Sequence, residues 1–207
     1  MPYSEELNAL VLLSTLKHKP ETSNTEDLAQ LVCDNLKTYG IIYEIERLVD
    51  LDIKTGLETN MGNGDEWSLI ERKIRDCNIL IFATPIWWGM QSSVMQRAIE
   101  RMDALDEEYR QSGISPLYNK VAGIIVTGSE DGAQHIIGNM CNFLQWSGFT
   151  LPPECASYWV GEVGQNPEED SKKRRMNKAT NTMAQRMARN LAYYANLLNK
   201  HPLQEKK

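Results

Sequence analysis

The sequence predicts a doubly wound α/β fold, in which helices cover both faces of a parallel sheet. Short, continuously apolar runs, of which residues 79–83 are the clearest, have the length of strands buried on both faces. Patterns with apolar residues at spacings of three and four follow these runs, as in amphipathic helices. Because the two patterns alternate along the chain, we expect right-handed crossovers between parallel strands, whose carboxyl ends meet at one edge of the sheet.

The predicted elements follow one another in a regular order. Strands are predicted at residues 7–13, 41–49, 79–83, 121–126 and 148–153, the last of which residues 156–161 would extend. Helices are predicted at residues 28–39, 67–74, 93–105, 133–144 and 167–199. Charged side chains in the second strand indicate an edge position. The polar residues 106–119 form a connection long enough to favour a functional loop, and we expect the tail 201–207 to be frayed.

Composition and charge narrow the class of protein. Of the 207 residues, 42% are hydrophobic and 24% charged, as in ordinary globular proteins, and we expect one domain over residues 1–207. The net charge of −6 argues against a partner such as nucleic acid or an anionic membrane. The basic run at residues 172–175 pairs with acids of the same helix and indicates a solvated helix face.

Two further features of the sequence indicate the cellular location of the protein. No run is long and apolar enough to cross a bilayer, and the amino terminus lacks the basic and apolar regions of a signal peptide. We therefore expect a cytoplasmic protein. The four cysteines contain no C-x-x-C motif, and with only three histidines they give no reason to expect a metal site.

The loop after the first strand has the chemistry of a phosphate site. Ser23 with Glu26 matches a capping box at the start of the next helix, and Asn24 is an alternative N-cap. The N–H groups and dipole of a helix N-terminus favour a phosphate, and Lys17 or Lys19 would add positive charge. The alternative is that these polar residues only cap the helix, as they do in most proteins. The loop is not a P-loop, since it lacks the glycines of that motif.

The loop after the third strand has the chemistry of a site for a flat ring. Pro85 restricts the path of the chain, and Gly89 permits a close approach of backbone to ligand. Trp87 and Trp88 offer broad faces for stacking, although packing in the core or at a subunit interface is the alternative. The fourth strand ends in the glycine-rich loop 127–133, which would supply backbone to the edge of the ring. A phosphate beside a flat aromatic ring describes FMN.

These motifs resemble those of the flavodoxin-like NAD(P)H-dependent FMN reductases. The T-P-I-Y-W-G loop of that family is matched by Thr84-Pro85-Ile86-Trp87-Trp88-Gly89. Its S-N-T phosphate motif is matched by Ser23-Asn24-Thr25, its third loop by residues 127–135, and a later signature by Tyr158-Trp159-Val160-Gly161. The resemblance covers residues 7–165.

The resemblance implies a flavodoxin-like three-layer α/β/α sandwich with a five-stranded parallel sheet in the order 2-1-3-4-5. It also implies noncovalent FMN, NADH or NADPH as co-substrate, and homodimers or dimers of dimers. Related iron–sulfur flavoproteins carry a compact cysteine cluster after the second strand, where residues 52–62 have none, so we expect no such cluster. Because the flavin carries the redox chemistry in such enzymes, we assign no catalytic side chain.

The three loops together predict the cofactor-binding residues. In the first loop these are Ser14, Lys17, Ser23, Asn24 and Thr25. In the second loop they are Thr84, Pro85, Ile86, Trp87, Trp88 and Gly89. In the third loop they are Thr127, Gly128, Ser129, Asp131 and Gly132.

Three functions are compatible with the sequence. The first is an NAD(P)H-dependent oxidoreductase that reduces flavin, quinone or a similar small acceptor by two-electron transfer. The second is a non-enzymatic FMN electron carrier, and the third a flavodoxin-like binding protein without flavin. The long final helix, the 106–119 segment and the modest net charge favour the first, because carriers usually have a strongly acidic partner surface.

Overall fold

The structure, a computed structural model, describes residues 6–204. Its strands are β1 (Asn8–Leu13), β2 (Ile42–Arg47), β3 (Ile79–Trp87), β4 (Met90–Gln91), β5 (Val121–Gly128) and β6 (Ala156–Val160). Its α-helices are α1 (Asn24–Lys37), α2 (Trp67–Asp76), α3 (Ser93–Arg101), α4 (Asp103–Ser112), α5 (Ala133–Trp146), α6 (Pro167–Met176) and α7 (Lys178–Lys200).

Five of the strands form a parallel sheet in the order β2-β1-β3-β5-β6. This order is the predicted one, once the two-residue strand β4 is set aside, and the predicted fold class is confirmed. Among the described strands, β2 pairs only with β1, so the charged second strand is an edge strand as expected. The carboxyl ends of β1, β3 and β5 lie side by side and place the three polar loops together.

Helices cover both faces of the sheet. On one face α1 and α7 pack against the side chains of Val11, Ile81 and Ile125. On the other face α2, α3 and α5 pack against alternate strand residues such as Leu12 and Phe82. Both sets of strand side chains are buried, which explains why the central strands are continuously apolar in sequence.

The third strand is longer than predicted. It continues through Pro85 to Trp87, because Ile86 and Trp87 pair with β4 in an antiparallel hairpin. Trp88 and Gly89 form the two-residue turn, with φ of 50° and 77°. Positive φ at both positions is characteristic of a type I′ turn, whose twist matches that of the flanking strands. The predicted second loop is therefore part of a β-hairpin.

Several predicted helix and loop boundaries were wrong. The first part of the expected functional loop at 106–119 belongs to helix α4. On the polar face of this helix, Arg110 forms ion pairs with Asp106 and Glu107. The expected strand at 148–153 is reduced to a single bridge between Thr150 and Val121. Among the described helices, none is both long and apolar enough to cross a membrane.

The predicted final helix is two helices. Asn177 adopts an extended conformation, with ψ of 114°, and its side chain accepts a hydrogen bond from the N–H of Thr180. It therefore ends α6 and caps α7. Of these two helices, only α7 covers the sheet, whereas Met176, the last residue of α6, is 84% exposed.

Candidate functional site

A cleft of about 320 Å³ opens at the carboxyl edge of the sheet. Ten of the predicted residues line it, namely Lys17, Ser23, Asn24, Thr25, Pro85, Ile86, Trp87, Thr127, Gly128 and Ser129. Its other lining residues are Thr15, Leu16, Glu130, Trp159, Glu162, Gly164, Gln165 and Asp170. The cleft thus combines all three predicted loops with a fourth segment, which follows β6.

The first turn of α1 contributes hydrogen-bond donors to the cleft. Ser23 is the N-cap, and its hydroxyl oxygen accepts the N–H of Glu26 at 3.3 Å. The hydroxyl hydrogen of Ser23 is then available to an acceptor in the cleft. The N–H groups of Asn24 and Thr25 belong to the first turn, which has no preceding helical carbonyl groups to bond.

Arg47, at the end of β2, anchors the loop between β1 and α1. Its Nη1 donates to the carbonyl oxygens of Lys17 at 3.1 Å and Glu21 at 2.9 Å, and its guanidinium pairs with Glu26. Lys17 adds a bond from Nζ to the carbonyl of Thr22 at 3.2 Å. Although Arg47 lies on an edge strand, its side chain is buried under the loop.

The hairpin and the third loop hold each other in place. The N–H of Trp88 donates to the Glu130 carboxylate at 3.2 Å. At Gly132, a Cβ atom would lie 2.6 Å from the Cα atom of Gly89, so only glycine allows this approach. Trp87, which borders the cleft, is half-buried, whereas Trp88 is 89% exposed at the tip of the turn.

Six predicted site residues lie outside the lining of the cleft. The hydroxyl of Ser14 donates to the carbonyl of Ala83 at 3.0 Å, and the hydroxyl of Thr84 accepts the N–H of Ser92 at 3.0 Å. Both side chains are fully buried and join β1, β3 and the start of α3. The other four, Trp88, Gly89, Asp131 and Gly132, belong to the paired hairpin and third loop.

The wall that follows β6 was not among the predicted site residues. Trp159 lies in β6, and its indole N–H donates to Asp170 of α6 at 2.7 Å. Gly161 packs so closely against the Asp170 carboxylate that a side chain would not fit. The rule that pointed to the first three loops, a polar segment at the carboxyl end of a strand, also applies to residues 161–166.

A buried charge network fixes α6 against α1. Arg174, fully buried, donates to Asp170 at 2.7 Å and to Asp27 of α1 at 3.1 Å. Arg175 also donates to Asp27, at 2.9 Å. Burial alone would raise the pKa of Asp27, but the bonds from these two arginines lower it below its ordinary value. The expectation that residues 172–175 form only a solvated face was therefore wrong for Arg174.

The donors and faces of the cleft fit FMN. A helix N-terminus with a free hydroxyl suits a phosphate, and a half-buried tryptophan beside a glycine-containing loop suits a flat ring. Thr25 and Thr127 share one hydrogen bond of 2.7 Å between their hydroxyls, which leaves a further hydroxyl hydrogen in the cleft. Two of the acidic residues on its walls form ion pairs, Asp170 with Arg174 and Glu162 with Lys173.

Comparison with known proteins gives three informative relatives. The 8-demethyl-8-aminoriboflavin-5'-phosphate synthase of Streptomyces davaonensis is 34% identical over 205 residues, covering 95% of this chain and 80% of that protein. The crystal structure of RosB with bound 8-demethyl-8-formylriboflavin-5'-phosphate matches with a TM-score of 0.83 and 32% identity, covering 95% of this chain and 82% of RosB.

The third relative is a longer protein. The divalent metal cation transporter MntH of Mycobacterium bovis is 36% identical over 170 residues, which are 80% of this chain. This chain spans about a quarter of the length of that transporter, since the match covers 25% of it.

The family of the chain is shown by a match over most of its length. Residues 8–162 match the family described as NADPH-dependent FMN reductase, which binds FMN and uses NADPH. This match contains all three predicted loops, and it confirms the predicted cofactor and the predicted class of enzyme. The chain is a flavin-binding oxidoreductase that belongs to the NADPH-dependent FMN reductase family.

Proposed function

We propose that this protein holds FMN in the cleft and transfers two electrons from NADPH or NADH to a small acceptor, such as a free flavin or a quinone. The observation that best supports this function is that one cleft contains both the N-terminus of α1 and the half-buried side chain of Trp87. An oxidoreductase needs its second substrate to reach the ring, whereas a carrier exposes only the ring's edge.

In this proposal the chain supplies binding and orientation. Ser23, Asn24 and Thr25 hold the phosphate with hydroxyl and backbone donors. The segment 84–89 fixes one side of the ring, and its position is held by the pairing of Ile86 and Trp87 with β4. The segment 127–132 borders the ring's edge. Ser14 acts indirectly, because its hydroxyl is bonded to β3 and holds the first loop in place.

Bound FMN supplies the redox chemistry, and the protein determines how substrates approach it. Trp87 lines the cleft, and Trp88 lies next to it at the exposed tip of the hairpin turn. Their position suits a nicotinamide that must lie flat beside the flavin, since near-attack placement contributes a large part of such rates. No side chain is assigned a proton-transfer role.

The test is anaerobic mixing of the FMN-bound protein with NADPH and, separately, NADH. We expect saturable loss of flavin absorbance by two electrons, and recovery of the colour when a quinone or free flavin is added. If dithionite bleaches the flavin and neither nucleotide does, the reductase proposal is wrong and an electron carrier remains.

A second candidate function is chemical modification of FMN itself, at a position other than its phosphate. The relative from Streptomyces davaonensis is named as a synthase of an aminoriboflavin phosphate, and its match extends over 95% of this chain. If this chain modifies its flavin, mass spectrometry of FMN recovered after incubation with an amino donor and oxygen will show a changed mass. Recovery of unaltered FMN after many reductive turnovers favours the reductase.

We also propose a cytoplasmic homodimer in which the hairpin is covered by a second subunit. Trp88 is 89% exposed and Met90 43% exposed, so the turn presents apolar surface next to the cleft. Sedimentation should give about twice the 23.6 kDa mass of the chain. The variant Trp88→Ser should shift the protein toward monomer, and a wild-type monomer at micromolar concentration would contradict the dimer. Fractionation of cells would test the location.

A further inference from the structure

Trp159 is an aromatic side chain of the cleft that none of the three predicted loops supplies. It lies in β6, lines the cleft and is partly exposed, so a ligand in the cleft can reach it. Trp87, which also lines the cleft, belongs to β3, and β5 lies between these two strands. The two indole rings therefore belong to opposite sides of the cleft.

The indole ring of Trp159 is held in place through its N–H group. This group donates to Oδ1 of Asp170 at 2.7 Å, and Oδ2 of the same carboxylate accepts a hydrogen bond from Arg174 at 2.7 Å. Gly161 packs against both the indole nitrogen and the carboxylate, so a larger residue there would displace this bond. Because the N–H group is already bonded to α6, the indole has only carbon atoms left to offer a ligand.

The pairing of β6 with β5 places Trp159 near the proposed phosphate end of the cleft. Trp159 is the register partner of Thr127, so the two backbones lie about 5 Å apart and the two side chains share one face of the sheet. The hydroxyl of Thr127 is 2.7 Å from that of Thr25, in the first turn of α1. The proposed ring site, at Trp87, is on the other side of β5.

A carbon face near the phosphate site suits the ribityl chain of a flavin. The phosphate itself needs hydrogen-bond donors, which the N-terminus of α1 supplies. The ribityl chain joins phosphate to ring, and its C–H groups can pack against an aromatic face. We infer that Trp159 packs against the ribityl chain of the bound flavin, and that Asp170 is a positioning residue that holds the indole for this contact. This inference rests on the proposed placement of FMN in the cleft.

Three ligands separate the parts of the flavin. FMN contains ring, ribityl chain and phosphate, riboflavin lacks the phosphate, and lumiflavin lacks both phosphate and ribityl chain. Fluorescence titration of Trp159→Ala should show about tenfold weaker binding of FMN and of riboflavin, the effect of losing roughly 50 Å² of apolar contact. Binding of lumiflavin should be unchanged, whereas a merely structural role would affect all three ligands or none. The matched control is Trp146→Ala, at an exposed position outside the cleft, which should alter none of them.

The role of Asp170 is tested by two substitutions. Asp170→Ala removes the acceptor of the indole N–H, so FMN and riboflavin should bind about threefold more weakly, with lumiflavin unchanged. Asp170→Asn keeps an acceptor for the indole and should restore the affinity for riboflavin to within about twofold of wild type. Rescue by Asn separates the positioning of Trp159 from the charge that Asp170 presents to Arg174.

A measurement on the wild-type protein does not depend on how well the variants fold. In protein labelled with ¹⁵N-tryptophan, the NMR signal of the Trp159 indole N–H can be assigned by its absence in Trp159→Phe. We expect this signal to shift when riboflavin is added and to move much less with lumiflavin. Trp159→Phe keeps an aromatic face, so its affinity for riboflavin should stay within about threefold of wild type.

Several outcomes would overturn the inference. These are unchanged riboflavin binding in Trp159→Ala, a loss confined to FMN, an equal loss with lumiflavin, or an indole signal that riboflavin does not shift. Equal affinities in Asp170→Ala and Asp170→Asn would overturn the positioning role. If wild-type protein binds no flavin, the inference also fails. If the ligand pattern holds while NADPH fails to reduce the bound FMN, the ribityl contact stands and only the proposed reductase function is wrong.

Discussion

Thr25 and Thr127 are 102 residues apart in sequence, and their hydroxyl oxygens lie 2.7 Å from each other in a buried hydrogen bond. Thr25 is in the first turn of α1, and Thr127 is near the end of β5. The bond therefore joins the proposed phosphate end of the cleft directly to the proposed ring end. One hydroxyl donates to the other, so a single hydrogen remains for a ligand.

We expect Thr25→Val and Thr127→Val each to destabilise the apo protein by about 1–3 kcal/mol, because each leaves a buried hydroxyl unpaired. The double variant should lose less stability than the sum of the losses in the two single variants, since no unpaired hydroxyl then remains. Urea unfolding of all four proteins measures this coupling. Thr182→Val is the control, because the Thr182 hydroxyl bonds only to an exposed carbonyl of its own helix. If the losses in free energy of unfolding from Thr25→Val and Thr127→Val simply add in the double variant, the prediction is contradicted.

Ser23→Ala should reduce the preference of the protein for FMN over riboflavin. The hydroxyl caps α1, which is worth about 1 kcal/mol, and a further bond to a phosphate would be worth about 1.5–3 kcal/mol. Fluorescence titration with both ligands measures the ratio of affinities. Asn177→Ala removes the cap of α7 and should cost similar stability while leaving that ratio unchanged. An unchanged ratio in Ser23→Ala would place the phosphate elsewhere.

Gly132→Ala should separate the hairpin from the third loop. Its Cβ atom would meet the Cα atom of Gly89 at 2.6 Å, and φ at this position is 132°, which disfavours any side chain. We expect weaker FMN binding and a lower melting temperature. Gly138→Ala is the matched control, because this helical glycine has open space around it, and its substitution should stabilise by about 0.5–1 kcal/mol. Wild-type FMN affinity in Gly132→Ala would show that the contact is dispensable.

Arg101→Met should destabilise the fold by about 3–5 kcal/mol at neutral pH, because it leaves a buried carboxylate unpaired. Arg101 and Asp65 form an ion pair with both side chains fully buried, and Arg101 also bonds the carbonyls of Lys54 and Glu58. Arg110→Met, which breaks an exposed pair on α4, should cost at most about 1 kcal/mol. Equal losses in the two variants would contradict the prediction.

The same pair predicts a pH dependence. Hydrogen bonds from Arg101 hold the pKa of Asp65 well below its usual range. The pKa of an aspartate in the unfolded chain is about 3.9. Because the pKa of Asp65 is lower in the folded protein, the ion pair contributes its full stabilisation at pH values above about 3.9 and progressively less as the pH falls below that value. The difference in free energy of unfolding between wild type and Arg101→Met should therefore be constant from about pH 5 to 7 and shrink below about pH 4. A difference that grows in acid would contradict this reasoning.

The sequence alone predicted the alternation of strands and helices and the polar loops at the carboxyl edge of the sheet, and the family resemblance implied the order of the strands. Central strands buried on both faces must be apolar throughout, so β1, β3 and β5 can be recognised in the sequence as continuous apolar runs. The polar loops that follow these strands can also be recognised, because each is a short segment of sequence. The cap at Ser23 was also predictable, because it depends on residues three positions apart. The family motifs lie in these same loops.

Tertiary structure decided which residues face the cleft and which charges are buried. The strand β3 extends to Trp87 only because β4 folds back on it, and Ser14 turns its hydroxyl toward β3 rather than the cleft. Arg174 is buried because it meets Asp27, 147 residues earlier in the chain. Burial of a charge depends on partners that the fold brings from a distance, and no local pattern in sequence records them.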